Sequence, residues 1–139
     1  MRRTARENAF KLIFENLVAG SDGKISRDAF IQDMKEEGVS LMDRLYGGVN
    51  EEREFLTQII GRYARGFKLE RIYKIDLAIL MIASYEILFC EDIPDKVSVN
   101  EAVEIAKIYS TDNSPSFING VLAGVIRDKE ELLNERNAD

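Results

Sequence analysis

The chain predicts an all-α protein of about seven helices, arranged as two small bundles that share one core. Three observations carry that expectation. Nearly all of the hydrophobic periodicity is helical, with no clear alternating strand, low-complexity stretch or internal repeat. The most apolar run, Ile75 to Cys90, contains Asp76 and Glu86 and falls short of the roughly 20 residues needed to cross a bilayer, so it reads as a central buried helix. Between Asp92 and Leu122 two helix starts are punctuated. Ser98 followed by Glu101 has the spacing of a capping box, and Ser114-Pro115 places a proline in a first turn.

The elements follow in chain order. A first helix is expected from about Arg3 to Val18, with Ala5, Ala9, Leu12, Ile13 and Asn16 near one side and Phe10, Phe14 and Leu17 widening its apolar face. The turn Gly20-Ser21-Asp22-Gly23 ends it. Ser26 can cap a second helix running to about Glu37, with Gly38 as its stop. Ser40 opens a longer helix that ends near Gly66, using Leu41, Leu45, Val49, Leu56, Ile59, Ile60 and Tyr63 for burial. Gly47 and Gly48 inside it each cost about 1 kcal/mol relative to alanine, which implies close approach of another element. A short helix over Leu69 to Tyr73 leads to the central helix, Asp76 to Phe89. Helices from Ser98 and from Ser114 complete the set, and Gly120 and Gly124 give the last one a smooth face for close packing.

At 139 residues the chain fits a single domain, 1–139, and its 45% hydrophobic and 32% charged content suits a globular protein. A net charge of -6 excludes nucleic-acid binding through bulk positive charge, so any RNA site is local. Cys90 is the only cysteine and no internal disulfide is possible. The basic N-terminus is not followed by an apolar segment of signal-peptide length, and the expected location is the cytoplasm, with no membrane association.

Catalysis lacks a foundation in the residues. There is no histidine, no P-loop and no dinucleotide-binding glycine pattern. The loop Ser21 to Asp28 superficially suggests a calcium loop, but aligning Gly23 with the obligatory glycine puts Val18, Gly20 and Ala29 at ligand positions, which rejects it. No cofactor or metal is expected. Glu86, set in the apolar helix, must reach solvent or find a partner, and a helix-edge salt bridge is the favoured outcome.

Binding chemistry is better represented. Arg2, Arg3 and Arg6 stand three and four residues apart at the start of the first helix, where cations oppose the helix dipole. That spacing fits either an RNA-contacting surface or a solvated basic end. Phe117 lies near the entrance of the last helix, where it can pack in the core or stack on an unpaired base.

R-x-x-A-R-E-x-A near the start, I-D-L-A-I-L-M-I-A-S-Y-E in the middle, and the stretch from D-I-P-D-K-V-S-V-N-E-A to S-P-S-F-I-N-G-V-L occur in one order at compatible spacing. Together they resemble the NusB family of transcription antitermination factors over almost the whole chain. The resemblance implies an all-helical fold that binds boxA-type single-stranded RNA with NusE, the small-subunit ribosomal protein that doubles as a transcription factor. It also implies a place in the RNA polymerase antitermination complex that supports ribosomal RNA transcription. Carried over residue by residue, it assigns RNA contacts to Arg2, Arg3, Arg6 and Phe117, with Asn113 and Ser116 as the polar entrance beside Phe117, and a NusE surface to Phe14, Glu70 and Asp76. Thr4 and Ser116 stand where an arginine and a lysine can occur, Met81 replaces a frequent arginine, and Phe14 lacks a tyrosine hydroxyl. Some members dimerise, so a homodimer is a further expectation. The alternatives are a helical accessory module of a ribosomal RNA cytosine methyltransferase and a purely structural helical oligomer.

Overall fold

The computed structural model describes residues 2–138. Among them are eight α-helices and a short 3-10 turn, with no strand: α1 Arg2–Ala19, α2 Lys24–Ile31, α3 Glu36–Glu51, α4 Arg53–Tyr63, the 3-10 turn Leu69–Arg71, α5 Lys74–Phe89, α6 Asp95–Tyr109, α7 Ser114–Arg127 and α8 Lys129–Asn137. The expected all-α architecture is present, and α5 is its axis. Twelve of the residues of α5, Asp76 to Ser84 and Glu86 to Leu88, are buried, and the helix packs against α1, α3, α4, α6, α7 and α8. Leu80, Ile79, Met81 and Ile87 are among the largest fully buried side chains. Each contributes about 1.5–3 kcal/mol by leaving water. Met81 therefore fills the core and has no place on a binding surface.

The helix ends differ from the expected ones for physical reasons. Ser26 does not cap α2; Gly23, with φ of +75°, occupies that position, and the Ser26 hydroxyl donates to Glu15 Oε1 at 2.6 Å. α2 stops at Ile31, and Gly38 lies inside α3, whose first turn carries Glu36 and Glu37. Carboxylates there complement the positive end of the helix dipole, which makes Glu36 a better start than Ser40. The long helix expected up to Gly66 breaks at Glu52 into α3 and α4.

The capping box at Ser98 is absent. α6 begins earlier, with Pro94 at its cap, and the Pro94 carbonyl oxygen accepts from the Val97 and Ser98 amides. Ser98 is buried and turns its hydroxyl to Glu86, while Glu101 pairs with Arg3. At α7 Asn113 holds the cap position and Pro115 stands in the first turn as expected. α8 has no counterpart among the expected elements: it is polar apart from Leu132, its one buried residue, and Leu133, which packs partly against the core.

Two of the glycines work as anticipated. At Gly48 an added Cβ would collide with the Tyr85 ring, and at Gly124 it would lie 2.5 Å from Tyr63 Cδ1. Gly47 and Gly120 face open space. Tyr63 is pinned by a hydrogen bond from its hydroxyl to Asp128 Oδ2 at 2.6 Å, so its ring cannot easily retreat. Gly124→Ala is expected to destabilise the fold by about 1–3 kcal/mol through overpacking. Gly120→Ala is expected to stabilise it by up to about 1 kcal/mol through helix propensity. Thermal melts of the two variants read opposite signs from substitutions four residues apart.

Candidate nucleic-acid interface

Side chains of α1 and α6 meet at two places, one midway along α6 and one at its C-terminal end. Arg3 Nε donates to Glu101 Oε2 at 2.9 Å at the first, and the Tyr109 hydroxyl donates to Glu7 Oε2 at 3.1 Å at the second. Phe10 and Tyr109 meet with ring centroids 5.3 Å apart. From Glu101 to Ser110, α6 advances about 14 Å at 1.5 Å per residue. The arginine-bearing start of α1 and the start of α7 therefore sit at separate stations along one helix.

The three arginines do not share a surface. Arg2 and Arg3 are exposed, whereas Arg6 is only 3% exposed. Arg6 Nε lies 3.0 Å from both carboxylate oxygens of Glu86, and Ser98 Oγ donates to Glu86 Oε1 at 3.0 Å. Arg6 shares the helix face of Ala9 and Ile13, three and seven residues on, and this face points into the core. The expected RNA contact at Arg6 is thus corrected to a buried ion pair joining α1 to α5, with α6 closing it. Burial pushes the Glu86 carboxyl above the usual carboxylate range, and Arg6 and Ser98 pull it back only in part. The Glu86 salt bridge expected at a helix edge lies in the interior instead. The Arg3–Glu101 pair differs in kind. With the Arg3 side chain 54% exposed, the pair is screened by water and can yield to a phosphate.

The start of α7 is held from beneath. Asp76 accepts from Ser110 Oγ at 2.5 Å and from Ser114 Oγ at 2.9 Å, and Thr111 Oγ1 lies 2.8 Å from Ser114 Oγ. Asn113 and Ser116 are left exposed, and Phe117 is half-buried with its ring edge-on to Phe67 at 5.3 Å. These side chains, with Arg71 and Tyr73, line a groove of about 550 Å³. A second groove, of about 540 Å³ and also bordered by Ser116 and Phe117, continues along α7 to Tyr63, Arg65 and Arg127.

The acidic partner surface is not assembled as expected. Asp76 is 3% exposed and directed at the two serines at the base of the groove, so it does not stand out on the surface as an acidic contact. Glu70 is exposed on the 3-10 turn, but its chain neighbours include Lys68, Arg71 and Lys74. Phe14 is half-buried, 6.3 Å from the Phe10 ring. Sequence reasoning passes over Phe67, Arg71 and Tyr73. Their signal is present as cations three residues apart with aromatics between them.

These features define a class: a helical module built around one buried helix, with arginines and an aromatic groove set at two stations of a neighbouring helix. The chain belongs to the NusB family, whose model matches residues 3–127. It is 41% identical to the transcription antitermination protein NusB of Clostridium novyi (strain NT), over 91% of this chain and 98% of that one. To the NusB of Ruminiclostridium cellulolyticum it is 42% identical, over 99% and 95%. Among solved structures, that of T. maritima NusB superposes with a TM-score of 0.87 at 30% identity, covering 96% of this chain and 97% of that one. A complex described as antitermination factors NusB and NusE with dsRNA matches with a TM-score of 0.81 at 17% identity, covering 91% and 96%, and carries the likeness of fold alone. No helix among the described residues is long and apolar enough to cross a membrane.

Proposed function

We propose that the protein is a transcription antitermination factor that binds boxA-type single-stranded RNA together with the ribosomal protein NusE and acts with RNA polymerase on ribosomal RNA transcription. It works in the cytoplasm, by binding and without catalysis. The observation that carries the reading is the placement of Phe117, with Asn113 and Ser116 exposed around it, just past the C-terminal end of α6, the helix whose Glu101 meets the exposed Arg3. An aromatic face for a base and cations for phosphates are the two elements that single-stranded RNA recognition uses. Arg6 and Asp76 support this surface from behind. For NusE, Phe14 and Glu70 are the remaining contact candidates.

Binding of a boxA-type RNA, measured across a salt series with and without NusE, tests the reading. Phe117→Ala is expected to weaken RNA binding about tenfold, in line with about 1–3 kcal/mol for one stacked base. The double variant Arg2→Ala, Arg3→Ala is expected to flatten the salt dependence by about 0.7 for each phosphate that is no longer neutralised. Unchanged affinity and salt slope in both variants would place RNA elsewhere on the protein, or nowhere.

A further inference from the structure

Most arginines of the described chain are neutralised within the fold: Arg3, Arg6, Arg27, Arg44, Arg62, Arg127 and Arg136 each pair with a carboxylate. The segment between α4 and α5 departs from that pattern. Arg65, Lys68, Arg71 and Lys74 recur at intervals of three, are all exposed, and make no salt bridge within the described residues. Glu70 is the one exposed acid among them. In a chain of net charge -6, this concentration of unpaired cations within ten residues is a local field of opposite sign. The same segment exposes two large aromatic side chains, Phe67 at 54% and Tyr73 at 62%.

The cations and aromatics are interspersed through the segment, which borders Phe117 on both sides. Arg71 and Tyr73 line the groove on one side of Phe117, and Arg65 lines the groove on its other side. We propose that the α4–α5 connection is a second RNA track, which holds the nucleotides flanking the boxA-type segment as the single strand continues past Phe117, away from Arg2 and Arg3. The proposal rests on the RNA-binding function inferred above and extends it to a stretch of strand which that reading does not assign. Phosphates match the row of cations, and bases match Phe67 and Tyr73, whose faces stack on any base. Apart from Glu70, which stays available to NusE, the row of cations suits a polyanion better than a basic ribosomal protein, because like charges would face each other. The track therefore reads length and single-strandedness more than sequence.

The test uses the full-length protein and labelled RNAs in fluorescence anisotropy: a boxA-type RNA, and the same RNA extended by about six uridines at its 5′ or its 3′ end. One of the two extensions is expected to tighten binding about tenfold and to steepen the salt dependence by about 2, as three further neutralised phosphates require. The charge reversal Lys68→Glu, Lys74→Glu, at two cations that border neither groove of Phe117, is expected to remove most of that gain and to leave the short RNA within about twofold of the parent. Tyr73→Ala, a single exposed change that keeps the charges, is expected to lose part of the same gain and serves if the double variant does not fold. The proposal is overturned if the parent binds the short RNA and neither extension helps, which leaves the boxA reading intact. It is also overturned if the reversed variant keeps the gain, or weakens short and extended RNAs equally. A variant that keeps the gain and loses NusE would make the segment a protein surface. Failure of the parent to bind any of these RNAs would remove both this track and the function on which it rests.

Discussion

Replacing Arg6 by alanine is expected to destabilise the protein by about 3–5 kcal/mol, the usual consequence of leaving one member of a buried ion pair without its partner. Glu86 would remain in the interior with the Ser98 hydroxyl as its remaining side-chain hydrogen-bond donor. Urea denaturation measures the loss directly. Its pH dependence distinguishes an uncompensated charge from lost packing. The folded-state pKa of Glu86 is already raised by burial, so the native state holds its proton more tightly than the unfolded chain does. Between the unfolded and folded pKa values stability then falls as pH rises. Without Arg6, which lowers that pKa, the folded value climbs further. The deficit of Arg6→Ala relative to the parent should therefore shrink on acidification toward the unfolded carboxylate value, and Glu86→Gln in the same chain should recover part of it at neutral pH. A deficit independent of pH, unaffected by Glu86→Gln, would assign the loss to packing of the arginine stem instead. An Arg6→Ala variant of full stability with weakened RNA binding would restore Arg6 to the RNA surface.

Asp76→Ala is expected to have the second largest effect, because it removes the shared acceptor of Ser110 and Ser114. Hydrogen bonds to a charged group contribute about 1.5–3 kcal/mol each, and the two hydroxyls would be left facing a void. The damage should reach RNA binding although Asp76, at the base of the groove, is almost wholly buried, since the two serines fix the entry of α7 and with it Asn113, Ser116 and Phe117. Denaturation and RNA affinity should therefore fall together in Asp76→Ala, and more mildly in Ser114→Ala. If Asp76 instead met NusE directly, Asp76→Asn would lose NusE binding while stability and RNA affinity stayed at the parental level.

The two carboxylates of α5 show how far the sequence can be read. An apolar run interrupted by Asp76 and Glu86 announces a buried helix, and burial of those charges requires partners. The partners are not legible, because Arg6 is 80 residues from Glu86 and Ser114 is 38 from Asp76. Local rules fail where such distant groups compete. Ser98 has the spacing of a cap, but its hydroxyl satisfies Glu86, and the start of α6 passes to Pro94. The spacing of Arg3 and Arg6 allows a common surface, yet the register of Arg6 with Ala9 and Ile13 already puts it on the inner face. α8 carries no apolar stripe to reveal it, since Leu132 alone is buried and Leu133 only partly so. The cations from Arg65 to Lys74 are visible in the sequence, but their meaning depends on the neighbouring α7 groove, which no local pattern reports.

The long separations at α1 also govern when the molecule can be completed. Arg6 waits for Glu86, and Arg3 for a glutamate 98 residues downstream. During synthesis the ion pairs of the first helix made are among the last contacts to form, because their acids lie on α5 and α6, although α3 can pack against that helix earlier. Loop closure over such spans is slow relative to helix formation. A nascent chain stopped before α6 would hold Arg6 against Glu86 and still lack Glu101 for Arg3, so the arginine-bearing end is completed only after most of the chain has been made.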